Sequence, residues 1–492
     1  MKLQNRFLAA RRVSAPLVAV ATPDPATTIA TLTAESKTPA LTWDITRGAR
    51  AINRPGVKAL NAAFGEEAAS LTDPTTMLDR AARLPKDTML FVMNGHRYLE
   101  GPGSEAVVQA VWNLRDPYKA DTRTLVLLGP SFRLPPELMQ DVLLLEEELP
   151  DGAQLRRVVA SQYEAAQLPP PDDAVLDKAV DALRGLAAFP AEQVTAMSLT
   201  RKGLDAGALW ERKRQIIEQT PGLSVNRSGE TYDDIGGIEN AKQFGRRILS
   251  GNDRPRGIVF VDEIEKAMAG ATGAGDSSGV SQSLLGTVLT YMQDRQATGL
   301  LCIGPPGGAK SMFAKATGNT GGIPTIALDL ASMKGPLVGQ SEHNLRQALK
   351  VVSAVADDRA LWIATCNSIA VLPPELRRRF GFGTFFFDLP TAEERKTIWG
   401  IYLRKYRLEE QPLPDNDGWT GAEIRVCCDL SWRLRCSLVE AAAFIVPVAR
   451  SAVQQIEQLR SQASGRFISA SFPGVYRCER TSDGRAISME GN

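Results

Sequence analysis

Gly304-Pro305-Pro306-Gly307-Gly308-Ala309-Lys310-Ser311 is the stretch on which the reading of this 492-residue chain turns. The apolar run Gly299-Leu300-Leu301-Cys302-Ile303 precedes it and predicts a buried strand. Met312-Phe313-Ala314-Lys315-Ala316 follows and opens a helix. Strand, glycine-rich turn, Lys-Ser and helix make the layout of a phosphate-binding loop. Small residues let backbone N–H groups curl toward a phosphate. In this reading Pro306, Gly307, Gly308, Ala309, Lys310, Ser311 and Met312 cradle the ligand. Lys310 reaches the β- and γ-phosphates, Ser311 ligates Mg²⁺, and the helix N-terminus adds a favourable dipole. Ala309 departs from the pattern, which has glycine there, and its Cβ crowds the turn.

The acidic partners stand on the unexpected side of the loop. Gly257-Ile258-Val259-Phe260-Val261-Asp262-Glu263 is an apolar run ending in two acids, the Walker B form. Asp262 would hold Mg²⁺ through water, and Glu263 would polarise an attacking water. Such a strand ordinarily follows the phosphate loop; here it comes about forty residues before it. After the loop come an apolar strand at 325–330, a helix, and the strand Ala360-Leu361-Trp362-Ile363-Ala364-Thr365-Cys366-Asn367. Asn367 ends that strand with an amide placed to orient the attacking water. No Walker B strand lies between them.

These motifs resemble the AAA ATPases, most closely the plastid and cyanobacterial proteins of the hypothetical-chloroplast-frame type. The resembling residues are Asp233-Asp234-Ile235-Gly236-Gly237, Asp262-Glu263-Ile264-Glu265-Lys266, Gly339-Gln340-Ser341-Glu342, Leu372-Pro373-Pro374-Glu375-Leu376 and Thr420-Gly421-Ala422-Glu423-Ile424. The Ala-Lys-Ser variant is similar to the loop of MoxR-type and MCM-type AAA+ ATPases. The likeness runs from about residue 230 to 430, with one strand–helix unit moved in front of the loop strand. It implies a P-loop α/β core with a parallel sheet and a helical lid, working with ATP and Mg²⁺. It implies an adenine pocket at Ile235, Gly237, Gly421 and Ala422, and a sensor role for Asn367. Within Arg377-Arg378-Arg379 it implies that Arg378 and Arg379 reach the neighbouring subunit as arginine fingers. The chain would then act as a homo-oligomer, a hexamer-like ring or helical assembly, on a protein substrate. Lys334–Gly339 matches a first pore loop, with Leu337 where relatives that thread polypeptide carry an aromatic. In an AAA core the strands lie in the order 5-1-4-3-2, with ligand residues at their C-terminal edge. The permutation rewires only the opposite edge, so Asp262 and Glu263 are expected beside Lys310, Ser311 and Asn367.

The rest of the chain frames this core. A net charge of +1 leaves no basic footprint for nucleic acid. Two histidines and six scattered cysteines argue against a zinc site and for reduced thiols, hence the cytoplasm. No apolar run is long enough to span a membrane. Strands are expected at 17–20, 40–45, 89–93, 124–128 and 142–145, a doubly wound first domain over 1–150. Leu134-Pro135-Pro136-Glu137-Leu138 recurs at 372–376 in the same setting, the mark of a degenerate repeat. The first copy lacks the chemistry: Thr22-Pro23-Asp24-Pro25 stands where the phosphate loop would be, and Asn94-Gly95 where the acids would be. Residues 151–225 read as a helical lid-like connector, 226–390 as the permuted core, 391–460 as a helical lid and 461–492 as a tail. Phe385–Pro390 is expected as the last strand, and the glycine-rich 269–279 as a flexible or second pore loop. Two functions follow: an ATP-hydrolysing machine that remodels or assembles a partner, or a nucleotide-gated assembly protein with slow hydrolysis.

Overall fold

A computed structural model describes residues 3–34, 36–268, 280–333, 340–368, 372 and 374–478. The glycine-rich stretch 269–279, the pore-loop candidate 334–339 and residues 479–492 lie outside the described residues. The chain forms two compact units. One comprises residues 1–180 and 186–204, the other residues 181–185 and 205–492.

The first unit is built on six strands: β1 (Leu17–Ala21), β2 (Ala40–Asp44), β3 (Gly48–Ala51), β4 (Met89–Val92), β5 (Thr124–Gly129) and β6 (Val142–Glu146). Their order across the sheet is β3-β2-β4-β5-β1-β6, parallel except for β3. Leu17 and Ala19 enter one apolar cluster while Val18 and Val20 enter another. Successive strand residues point to opposite faces, so a strand apolar throughout is a strand covered on both sides. β3 has no counterpart among the expected strands. It is a four-residue edge hairpin partner of β2, entered through Gly48 at φ 66. The unit also holds the small hairpin β7 (Leu199–Thr200) and β8 (Gly203–Leu204).

The second unit carries β9 (Leu223–Val225), β10 (Gly257–Val261), β11 (Thr298–Ile303), β12 (Thr325–Leu328), β13 (Ala360–Cys366), β14 (Thr384–Phe386) and β15 (Ile468–Ser469). Their order is β15-β14-β11-β13-β10-β12-β9, parallel except for β9. Thus β10 lies between β13 and β12 although it precedes β11 in the chain. Without the edge strand β15, the sheet repeats the first unit's plan position by position, including an antiparallel strand at the same edge. In the first unit those positions are filled in unpermuted order. The Leu-Pro-Pro-Glu-Leu repeat falls between matching strands, and its final residues, Leu138 and Leu376, are both fully buried.

The helix Val280–Asp294 leaves the β10 side and buries Leu284, Val288 and Met292, one face at helical spacing. Three residues then join it to β11. The helix Gln340–Ala356 buries Leu345, Ala348, Leu349 and Val352 in the same cluster. The lid helices Ala392–Tyr406 and Gly421–Leu434 each start with a capping box, Thr391 with Glu394 and Thr420 with Glu423. They pack around Ile398, Trp399, Tyr402, Trp419 and Ile424.

Two expectations change. β14 is not the last strand of the sheet: residues 464–478 of the expected tail fold back, and β15 pairs with β14 through Phe385↔Ile468 and Phe386↔Ser469. Two paired residues give no periodic signal, which is why the sequence read as unpatterned. The three arginines 377–379, expected on a loop, occupy the last turn of the short helix Pro374–Arg379.

Candidate active site

Five of the expected residues meet at the C-terminal ends of β10, β11 and β13. Ser311 Oγ donates to Asp262 Oδ1 at 2.8 Å. Thr365 Oγ1, from β13, donates to the same oxygen at 2.5 Å and accepts the Glu263 N–H at 2.9 Å. Asn367 Nδ2 donates to Glu263 Oε1 at 3.1 Å. The Asn367 N–H donates to Glu265 Oε1 at 3.0 Å, tying strand end to strand end. Glu263 has a left-handed φ of 46 and its Oε2 pairs with Lys266 Nζ at 2.5 Å. A non-glycine residue there is strained, and such strain persists only where neighbours hold it; Thr365 and Asn367 do so.

The loop itself is shaped by contacts that tolerate no side chain. A Cβ on Gly304 would lie 2.0 Å from the Phe387 carbonyl oxygen. One on Gly307, at φ 80, would lie 2.8 Å from Thr420 Oγ1 of the lid. Ala309 caps the helix Lys310–Gly321 in the left-handed region, φ 65, with its methyl against an apolar cluster that includes Phe313. Lys310 is only 6% exposed. Its Nζ donates to the carbonyls of Gly304 at 2.8 Å and Pro305 at 2.7 Å. Burial lowers its pKa to about 8.

The loop, the acids and the segment Ile235–Ile238 line one cleft of 590 Å³, together with Gly421, Ala422 and Arg425 of the lid. That size lies within the ordinary range of small-molecule sites. Gly237 holds φ 75, which L-residues rarely adopt, and a Cβ there would sit 2.8 Å from Glu394 Oε1 and displace that side chain. Glu394 Oε1 accepts the Ile238 N–H at 3.0 Å, so the lid fixes this wall. The donor set fits Mg²⁺·ATP. A hydroxyl and a carboxylate oxygen 2.8 Å apart are hard ligands for a divalent cation. Lys310 hydrogen-bonds to two loop carbonyls and makes no salt bridge among the described residues, with Asp262 and Glu265 nearby, so a phosphate can draw on its charge. Arg378 is exposed, Arg379 Nη2 donates to Gln293 Oε1 at 2.7 Å, and neither lines the cleft.

Sequence reasoning missed Thr365, Glu394, Asp388 and Ser471, all of which line the cleft. Only Glu394 left a signal, its capping box with Thr391. The first unit shows the same backbone without the chemistry. Asn94, just past β4, adopts φ 53, as Glu263 does past β10. Past β1, Thr22 and Thr28 both donate their hydroxyls to Glu147 Oε2, the latter at 2.7 Å. Thr22 is 1% exposed, so the unit's own carboxylate closes that end of the strand.

Comparison with known proteins gives the family. Residues 4–147 match the N-terminal domain of SpoVK-like AAA ATPases and residues 153–220 their second domain. Residues 300–358 match the ATPase family associated with various cellular activities (AAA); Asp262 and Glu263 lie before that match. An AAA domain-containing protein, ycf46, of Trieres chinensis is 25% identical over 406 residues, 72% of this chain and 74% of the relative. The ycf46 protein of Guillardia theta is 22% identical over 457 residues, 80% of this chain and 83% of the relative. Among the described residues no helix is long and apolar enough to cross a membrane.

Proposed function

We propose, from the premise that this chain is a member of the AAA ATPase family homologous to the plastid ycf46 proteins, that it binds Mg²⁺·ATP in the second unit and hydrolyses it. The observation that carries this is the meeting of Ser311 with Asp262 at 2.8 Å and of Glu263 with Asn367 at 3.1 Å, across strands in permuted order. Ser311 and Asp262 would hold the metal, which would supply positive charge to offset that of the phosphates. Lys310 would exchange its loop carbonyls for the β- and γ-phosphates. Ile235, Gly237, Gly421 and Ala422 would enclose the adenine. Glu263 would take the proton of a water that Asn367 orients. Glu263→Gln is expected to bind ATP within about twofold of the parent and to lose turnover by about 100-fold or more. Parent-like turnover in that variant overturns the assignment.

The chain would act as a homo-oligomer in the cytoplasm on a protein partner. Arg378 and Arg379 lie outside their own cleft, which suits action on a neighbour's γ-phosphate. One observation favours the slower reading, a nucleotide-gated assembly protein: Lys266 occupies the Glu263 oxygen that Asn367 leaves free. Turnover measured against protein concentration separates the two. A steep rise on assembly supports the machine; nucleotide-dependent assembly with negligible turnover supports the scaffold.

A further inference from the structure

We infer that residues 464–478 form a wall of the nucleotide cleft, and that Ser471 contacts the nucleoside of the bound nucleotide. The inference rests on the assignment of the cleft to ATP. After the helix Val453–Ala463, Gly465 at φ 74 turns the chain back toward the sheet. The arm closes on itself: the Ser469 N–H donates to the Gly474 carbonyl at 3.0 Å and the Tyr476 N–H to the Phe467 carbonyl at 2.7 Å.

Two sets of bonds then lock the arm to the cleft. The Ala470 N–H donates to the Phe386 carbonyl at 3.0 Å, and the Ala470 carbonyl accepts the Ala241 N–H at 2.9 Å. Asn240 Nδ2 donates to the Ser469 carbonyl at 2.7 Å. Asn240 and Ala241 stand two and three residues past Ile238, the end of that wall, so the arm backs the segment assigned to the adenine. Ala470 is fully buried, and the next residue, half-buried Ser471, lines the cleft. Its hydroxyl both donates and accepts, which suits a base edge or a ribose hydroxyl.

The second lock is Asp388, which follows β14 and itself lines the cleft. Its carboxylate accepts from Arg460 Nε at 2.9 and 3.1 Å and from the Tyr476 hydroxyl at 2.7 Å. Arg460 stands on the helix that leads into the arm and Tyr476 near the arm's end. One cleft residue therefore holds both ends of the arm. Coupling of this kind is reciprocal: what docking of the arm adds to nucleotide affinity, nucleotide adds to docking of the arm. Tyr476 is a positioning residue and Ser471 a binding residue.

The test is titration of the full chain with a fluorescent ATP analogue, unlabelled ATP and GTP as competitors. Absence of ATP binding by the parent overturns the cleft assignment itself, before any variant is made. Given a binding parent, Ser471→Trp is expected to weaken ATP by about tenfold or more, with a parent-like unfolding curve. Tyr476→Phe is expected to weaken it by about threefold and Ser471→Ala to change the ATP-to-GTP preference by a similar factor. Hydrogen exchange on the parent gives a readout independent of any variant's folding: the amides of Ser469, Ala470 and Tyr476 are expected to slow in saturating ATP. Variant affinities within twofold of the parent, or exchange of these amides unchanged by ATP, overturn the inference while leaving the cleft assignment standing.

Discussion

Ala309 sits where a phosphate loop normally has glycine, at φ 65. An L-residue there carries a penalty of about 1 kcal/mol through its Cβ. Ala309→Gly is therefore expected to stabilise the second unit by up to about 1 kcal/mol, read by urea denaturation, with ATP affinity kept; a loss of stability would show that the methyl's packing outweighs the strain. Lys310 gives a pH prediction. Burial lowers its pKa to about 8, and a bound phosphate favours the charged form. Below about pH 8 the free protein already holds the proton, so affinity does not depend on this group. Above it, binding must take up a proton, and ATP affinity falls by up to about tenfold per pH unit. An affinity constant from pH 7 to 9.5 refutes that placement of the lysine. At this scale the sequence disclosed Lys310, Ser311, Asp262 and Asn367 because each sits at a fixed offset in its own motif. Thr365 stayed hidden: its two bonds reach to residues 102 and 103 positions away, and no local pattern records a cross-strand partner.

Helix and strand carry a different balance. Five-residue apolar runs such as Leu17–Ala21 and Gly257–Val261 were legible because burial on both faces forces every position to be apolar. β9 and β15 were not, since each adds only two or three residues at a sheet edge, where backbone pairing does the holding and side chains are free to vary. The helix Ala206–Glu218 was expected near 209–219 as a charged amphipathic helix. One of its charges is inside: Lys213 is fully buried, with Nζ 4.7 Å from the Trp210 ring centroid and 3.3 Å from the Asp181 carbonyl oxygen. Burial lowers its pKa to about 7. The unfolded chain, with lysine near its usual value of about 10.4, then binds more protons than the folded one above pH 7. Lys213 is expected to make stability of the second unit rise with pH from 7 to 8 by up to about 1.4 kcal/mol per unit, the larger part of the rise there, with Lys310 adding to it toward pH 8. Lys213→Met is expected to flatten the rise in that window and to be the more stable at pH 7. Parallel pH profiles for the two proteins would sink the argument.

Across the whole chain, one strand plan is used twice and only one use carries the Lys-Ser, Asp-Glu and Asn set. The first unit retains even the left-handed turn after the third core strand, at Asn94, but closes the end of β1 with Thr22, Thr28 and Glu147. Calorimetric titration of the Glu263→Gln chain is expected to give one nucleotide per chain; a stoichiometry of two would show that the closed end opens. The repeat was legible through one recurring pentapeptide, whereas the place of β10 in the sheet had to be reasoned from where the rewired connections fall. That place has a consequence for how the protein is made. β10 and β11 do not pair; each pairs with β13, one on either side. On the ribosome the two acids emerge first and the phosphate loop later, and the strand that β10 and β11 both pair with, residues 360–366, leaves the exit tunnel last of the three. A nascent chain arrested before that point would hold both halves of the site without the strand between them and is expected not to bind nucleotide; emergence of the keystone strand would set when the site is complete.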